Sequence, residues 1–253
     1  MITPIPLKIE CKMKIRDHLK NLLIVKILRI LYLKIYSLQF LYSFDSTKLD
    51  WEWNSIHFNR IALVNLIASK YKNCNYLEIG CANNALFDSV IANNKTGVDP
   101  SSGGTHRLTS DVFFKTNKKK FNLIFIDGLH TYDQARKDLI NSIKVLKPNG
   151  CIVMHDFLPR SWEEHHVPII TTKTWTGDVW KLSYELKETE GIDFIIAKID
   201  HGVCVIKIRN KKLAKLKLKE KFEKCTYTYY YKNLKQLPLL SWEKSRNWIT
   251  SKT

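Results

Sequence analysis

The stretch Asn75-Tyr-Leu-Glu-Ile-Gly80-Cys-Ala-Asn-Asn84, followed by a short helical pattern and then Lys95-Thr-Gly-Val-Asp99-Pro100, decides how this chain is read. An apolar run ends in a glycine, a polar turn opens a helix, and a second apolar run ends in an acid. That is the order of a βαβ nucleotide site. Gly80 lets a ligand approach the backbone closely, and the free amides of the next helix offer donors. Asp99, at the carboxyl end of a strand, is placed to bind the two hydroxyls of a ribose. The turn has one glycine where a dinucleotide fingerprint has three, and Ala82 and Asn84 stand where the others would be. A pyrophosphate needs that close approach more than a cationic, phosphate-free nucleoside does. Glu78 would sit badly beside a pyrophosphate but well beside a sulfonium or an amino acid. The same pattern also fits an ordinary βαβ unit without a cofactor.

Outward from this stretch, strands and helices alternate. His57–Tyr71 has helical spacing and leads into the strand Tyr76–Gly80. Helix Asn84–Ile91, strand Thr96–Asp99 and a short extended piece near Arg107–Thr109 follow. Phe121–Asp127 is a buried strand, Tyr132–Leu146 a helix, and Cys151–His155 another strand. This alternation predicts a parallel sheet covered on both faces. Asp193–Ile199 and Gly202–Ile208, joined by Asp200-His-Gly, predict a closing antiparallel hairpin.

Three of these strands end in acids: Asp99, Asp127 and Asp156. Ligands of open α/β sheets bind beyond the carboxyl ends of strands, so the three acids converge on one edge. In Asp127-Gly-Leu-His130, Gly128 permits a sharp turn that brings His130 to the same cleft. There it could take a proton from a hydroxyl nucleophile. Asp127 and Asp156 could share a hard divalent cation such as Mg²⁺, which would orient an acceptor oxygen and lower its pKa. His155 reads better as a buried, hydrogen-bonded strand end than as a ligand. Gly177-Asp178-Val-Trp180-Lys181 could cover an acceptor pocket, with Trp180 stacking on a sugar or serving as a core residue.

Taken together, Glu78-Ile-Gly80, Gly-Val-Asp-Pro, Ile-Asp-Gly-Leu-His-Thr-Tyr, Leu-Lys-Pro-Asn-Gly and His-Asp resemble the class I S-adenosylmethionine-dependent methyltransferases, the bacterial small-molecule and sugar O-methyltransferases in particular. The resemblance covers about residues 55–208. It implies a Rossmann-like, mostly parallel sheet of roughly seven strands ending in an antiparallel hairpin, with helices on both faces. It implies cofactor contacts from Glu78, Gly80, Ala82, Asp99 and Asp127, with Asp99 on the ribose and Asp111 near the adenine. The metal-dependent sugar O-methyltransferases use an Asp-x-x-His pair as metal ligand and general base, which maps onto Asp127 and His130, with Asp156 as a second ligand. They often carry two adjacent acids where this chain has His155-Asp156.

The charge of +17 over 253 residues is uneven. Residues 1–50 carry +5 and 209–253 carry +10, leaving +2 for the middle. We therefore expect three parts: a basic, apolar amino-terminal helix and linker (1–50), a methyltransferase domain (51–208) and a basic carboxy-terminal arm (209–253). Within Asn21–Tyr42 three cations argue against a spanning helix. Lys26, Arg29 and Lys34 share one sector, which fits a helix lying in a membrane interface or one packed on protein. The basic arm, with Thr226-Tyr-Thr-Tyr-Tyr-Tyr231, raises the alternative of a nucleic-acid methyltransferase, although no Asn/Asp-Pro-Pro-Tyr motif is present. A non-catalytic membrane-surface protein is a third reading. Six scattered cysteines without a C-x-x-C pair read as reduced thiols of a cytoplasmic protein, located at the inner face of the membrane if the helix meets lipid.

Overall fold

The computed structural model describes residues 23–251. Leu23–Ser37 forms helix α1, continued by a 3₁₀ turn at Leu38–Ser43. Helix α2 (Arg60–Ala68) starts where the Asn59 side chain accepts from the Ile61 amide. The core then runs β1 (Asn75–Ile79), α3 (Ala85–Ser89), β2 (Asn94–Val98), α4 (Ser110–Thr116), β3 (Phe121–Ile126), α5 (Tyr132–Val145) and β4 (Leu146–Met154). After it come α6 (Trp162–His165), α7 (Lys181–Lys187), β5 (Ile192–Ala197) and β6 (Val203–Ile208). The tail adds α8 (Lys219–Phe222), α9 (Tyr227–Lys232), β7 (Leu239–Leu240) and α10 (Trp242–Thr250).

The seven strands form one sheet in the order β2-β1-β3-β4-β6-β5-β7. β1 pairs in parallel with β2 and β3, and β3 with β4, while β6 runs antiparallel to both β4 and β5. This is the Rossmann-like α/β sheet with a terminal hairpin that the alternation predicts. Side chains explain why both faces are covered. Leu77, Ile79, Ile124, Ile126, Ile152 and Met154 enter one core, and their neighbours Tyr76, Leu123, Phe125, Cys151 and Val153 enter the other. A strand that is apolar at every position must be covered on both sides.

Two edge strands differ from expectation. The extended piece near Arg107–Thr109 contributes only a single bridge, Val98 to His106. The seventh strand comes instead from the tail, with Leu239 and Leu240 pairing in parallel with Ile196 and Ala197. Residues 209–251, read from composition as a helix and an irregular basic arm, fold back over the sheet. Their lysines obscure an alternation in which Phe222, Tyr227, Tyr230, Leu237 and Ile249 point inward and are buried. Apolar area removed from water is worth about 25 cal/mol per Å², so a few large rings suffice to hold such a segment.

Candidate active site

Gly80 closes β1 at φ +85°, and a Cβ there would lie 2.0 Å from the Asp127 carbonyl oxygen. Only glycine lets the turn pass this close to the end of β3. Ala82 and Asn84 also have positive φ, +45° and +65°. The turn thus holds a left-handed backbone at two positions that carry side chains. Asp99 clamps it: one carboxylate oxygen accepts from the Cys81 and Ala82 amides at 3.0 Å each. The other accepts from the Ser101 and Ser102 amides at 2.8 and 2.9 Å. Burial would raise the Asp99 carboxyl, but these backbone donors hold it below the usual range.

Beyond this turn lies a cavity of about 670 Å³, a size suited to a nucleoside-bearing cofactor. Glu78, Gly80, Ala82, Asp99, Asp111, Asp127 and His130 all line it. Asp156 does not line it and stands behind His130. The wall beside Asp111 is made by α5: the Gln134 amide nitrogen donates to Asp111 at 3.4 Å, Ser110 at 3.2 Å and Asp138 at 3.1 Å. Burial pushes the Asp138 carboxyl up to about 6. Sequence reading missed Gln134 and Asp138. Their signal is a polar pair spaced i, i+4 on the core-facing side of an amphipathic helix, where Asp138 is fully buried.

Across the cavity sits Glu78, 2 % exposed and bonded by the Tyr76 phenol. Burial pushes its carboxyl up to about 7, with the Tyr76 bond opposing the shift and the charge of Asp127 adding to it. Arg60, at the start of α2, also lines the cavity and donates to Asp200 at 2.8 Å. It was not legible in the sequence, because nothing local distinguishes it from a surface arginine at a helix start.

The third group lies past the ends of β3 and β4. His130 Nδ1 is 2.9 Å from Asp156 and 2.9 Å from the Trp175 carbonyl oxygen, while Nε2 is 3.4 Å from Asp127. Asp156 holds its carboxylate there with φ +68°, a left-handed conformation uncommon outside glycine. Donor atoms of Asp127, His130 and Asp156 lie within 4.8 Å of one another. Two carboxylates and an imidazole at that spacing suit a divalent cation. His155, expected as a hydrogen-bonded strand end, is 3.3 Å from both Asp127 and Asp156 and bonds the Asp200 carbonyl at 2.6 Å. Burial alone would raise Asp127, but the imidazoles of His155 and His130 hold it well below the carboxylate range. Burial would lower His130, yet its bonds to Asp127 and Asp156 carry it up to about 10.

The loop before α7 closes the cluster. Gly177, at φ +60°, packs where a Cβ would be 1.6 Å from the His130 carbonyl oxygen. Trp175 stacks on the His130 ring with centroids 5.4 Å apart. Trp180 is buried completely and faces His165, so of its two sequence readings the core residue holds, and the indole beside the site is that of Trp175. Tyr227 and Tyr230, from the run that suggested base stacking, are also buried.

Residues 77–157 match the family model described as a methyltransferase domain. No curated protein matches the chain. Among solved structures, the SAH-bound Podospora anserina methyltransferase PaMTH1 is 15 % identical, with a TM-score of 0.44 over 83 % of this chain and all of that one. An O-methyltransferase from Bacillus cereus in complex with SAH is 11 % identical, with a TM-score of 0.44 over 77 % of this chain and 97 % of that one. Streptomyces venezuelae DesVI is 14 % identical, with a TM-score of 0.30 over 38 % of this chain, which spans 47 % of its length. Likenesses of this size add nothing to what the sheet order already establishes.

Proposed function

We infer that this chain, whose residues 77–157 match a methyltransferase domain, is a class I S-adenosylmethionine-dependent enzyme that methylates a hydroxyl of a small molecule or sugar. The observation that carries this reading is one cavity that brings Glu78, Gly80 and Asp99 together with the Asp127–His130 pair. Asp99 suits the ribose end, and the wall of Asp111 and Gln134 suits the base. Glu78 suits the ammonium of the amino-acid part, and Arg60 its carboxylate. S-adenosylmethionine would supply a methyl group already activated by its sulfonium. The chain must align acceptor oxygen, methyl carbon and sulfur, and such alignment is worth several kcal/mol of barrier. The sulfonium would release its methyl group to the acceptor oxygen and remain as a thioether, and His130 would take the hydroxyl proton.

The Trp175 carbonyl supports that role by accepting from Nδ1, which leaves Nε2 as the basic nitrogen of the neutral ring. With only Asp127 and Asp156 beside it, His130 keeps its proton near neutral pH. A divalent cation held by Asp127 and Asp156 would replace the imidazolium as their countercharge and polarise the acceptor oxygen. Incubation with labelled S-adenosylmethionine and a panel of hydroxylated small molecules and sugars, with and without chelator, tests the reading. Label transfer to a hydroxyl is expected. Binding of NADH without binding of S-adenosylmethionine would reject it.

A further inference from the structure

Helix α1 faces the wrong way for a helix that belongs only to its own domain. Among residues 24–37 the one buried side chain is Leu33, and Tyr36, a turn further on, packs half-buried on the core. At about 100° per residue, Ile24, Ile27, Leu28, Leu31 and Ile35 fall on the side opposite Leu33. All five are exposed, Ile24 and Ile35 to 71 % and 68 %. The stripe continues into the 3₁₀ turn with Leu38, Leu41 and Tyr42, also exposed. An apolar stripe at helical spacing ordinarily points into a core; this one points away from it. Lys26, Arg29 and Lys34 lie within about 100° of Leu33 and flank the contact with the body. Residues 23–44 contain no acid.

We propose that residues 23–44 dock the protein on an anionic lipid bilayer, the outward stripe entering the acyl boundary and Lys26, Arg29 and Lys34 resting among the headgroups. Charge complementarity selects this occupant. Three cations with no acid beside a wide apolar face are the pattern of an interfacial helix. None of the described helices is long and apolar enough to cross a membrane. The docking segment packs on the loop that follows Asp156. Phe40 packs on His166 at 4.5 Å, Phe44 on Trp162 at 5.3 Å, and the Leu49 amide donates to the Arg160 carbonyl at 2.8 Å. Residues 160–166 directly follow the strand end that carries Asp156, so a docked α1 fixes the orientation of that end of the cleft to the bilayer.

Co-sedimentation of the full chain with vesicles tests this independently of any methyl transfer. Phosphatidylcholine vesicles with about one third phosphatidylglycerol are compared with phosphatidylcholine alone. We expect the wild type to bind the anionic vesicles at least tenfold more tightly. The exposed triple change Leu28→Gln, Leu31→Gln, Ile35→Gln should weaken that binding at least tenfold without altering net charge. Lys26→Gln with Arg29→Gln and Lys34→Gln should weaken it about 100-fold and flatten its salt dependence. Both variants should keep the wild-type melting temperature and S-adenosylhomocysteine affinity. Wild-type sedimentation of the variant changed at Leu28, Leu31 and Ile35 would overturn the proposal, leaving the lysines of the body as the lipid contact. So would a stable dimer in solution that the same variant dissociates, because the stripe would then cover a second copy.

Discussion

Asp99 and Asp127 occupy equivalent places, just past the ends of the two strands that flank β1, yet their charges are held in opposite ways. Asp99 is neutralised by backbone: four amides converge on its two oxygens, and they can neither titrate nor leave. Asp127 is neutralised by two imidazoles, at 3.3 and 3.4 Å, and imidazoles can lose a proton or yield to a cation. On the proposed function, Asp99 would shape the cofactor loop and Asp127 would serve proton and metal chemistry. That contrast says where each kind of substitution should act.

The largest expected effect is at the imidazole end. His130→Ala should lower kcat about 10³-fold, the scale of a lost general base, while S-adenosylhomocysteine affinity stays within about threefold. A large loss of affinity instead would erase the distinction between the two ends. Next is chelation, which should lower turnover about 100-fold, Mg²⁺ or Mn²⁺ restoring it, with no change in cofactor affinity by calorimetry.

Asp99→Ala should do the converse. It leaves the amides of Cys81, Ala82, Ser101 and Ser102 without their acceptor, at a cost of about 2 kcal/mol in stability. Cofactor affinity should fall about 100-fold. Asp99→Asn sharpens the point: its side-chain oxygen can accept from only one amide pair and its NH₂ would face the other pair donor to donor, so it should lower affinity at least tenfold. A near-wild-type affinity for Asp99→Asn would mean that the clamp contributes little.

Glu78 lies between the two ends, and its effect is set by pH. Its folded carboxyl stands at about 7, against the ordinary 4.5. Between these values the folded protein binds the proton more tightly than the unfolded chain. The contribution of Glu78 to stability is therefore greatest below about pH 4.5, falls through pH 4.5–7 by about 3 kcal/mol in total, and is level above. Binding of a cationic cofactor favours the charged form, so affinity should rise about tenfold from pH 6 to pH 8. Glu78→Gln should flatten both profiles. A wild-type profile flat over this range would remove Glu78 from the ammonium site.

The core of this arrangement was legible because it is local in sequence. An apolar run ending in Gly80, and acids at strand ends, carry their positions with them, and the parallel sheet follows from runs that are apolar at every residue. What was not legible depends on contacts distant in the chain. Arg60 acquires its place by meeting Asp200, 140 residues on. The tail folds because a few buried rings outweigh many lysines, which composition averages away. Trp175 rather than Trp180 reaches His130 because Gly177 sets the loop between them, and neither indole differs in local sequence signal. The direction in which α1 presents its apolar stripe is likewise decided by which residue the body happens to cover.

The smallest expected effect tests the backbone end alone. Ala82 holds φ +45° with its amide on Asp99, so its side chain takes no part in that bond. A left-handed conformation costs an L-residue about 1–2 kcal/mol, and glycine forfeits about 0.5–1 kcal/mol of that gain through unfolded-chain entropy. Ala82→Gly should thus raise stability by about 0.5–1 kcal/mol, measured by denaturant melts, with cofactor affinity unchanged. Asn84 invites the same substitution, but its side-chain oxygen accepts from the Gly104 amide at 2.7 Å, so Asn84→Gly should destabilise instead. If both changes stabilised, the turn would owe its shape to sterics alone. If Ala82→Gly weakened binding as Asp99→Ala does, the alanine methyl itself would be part of the ligand contact.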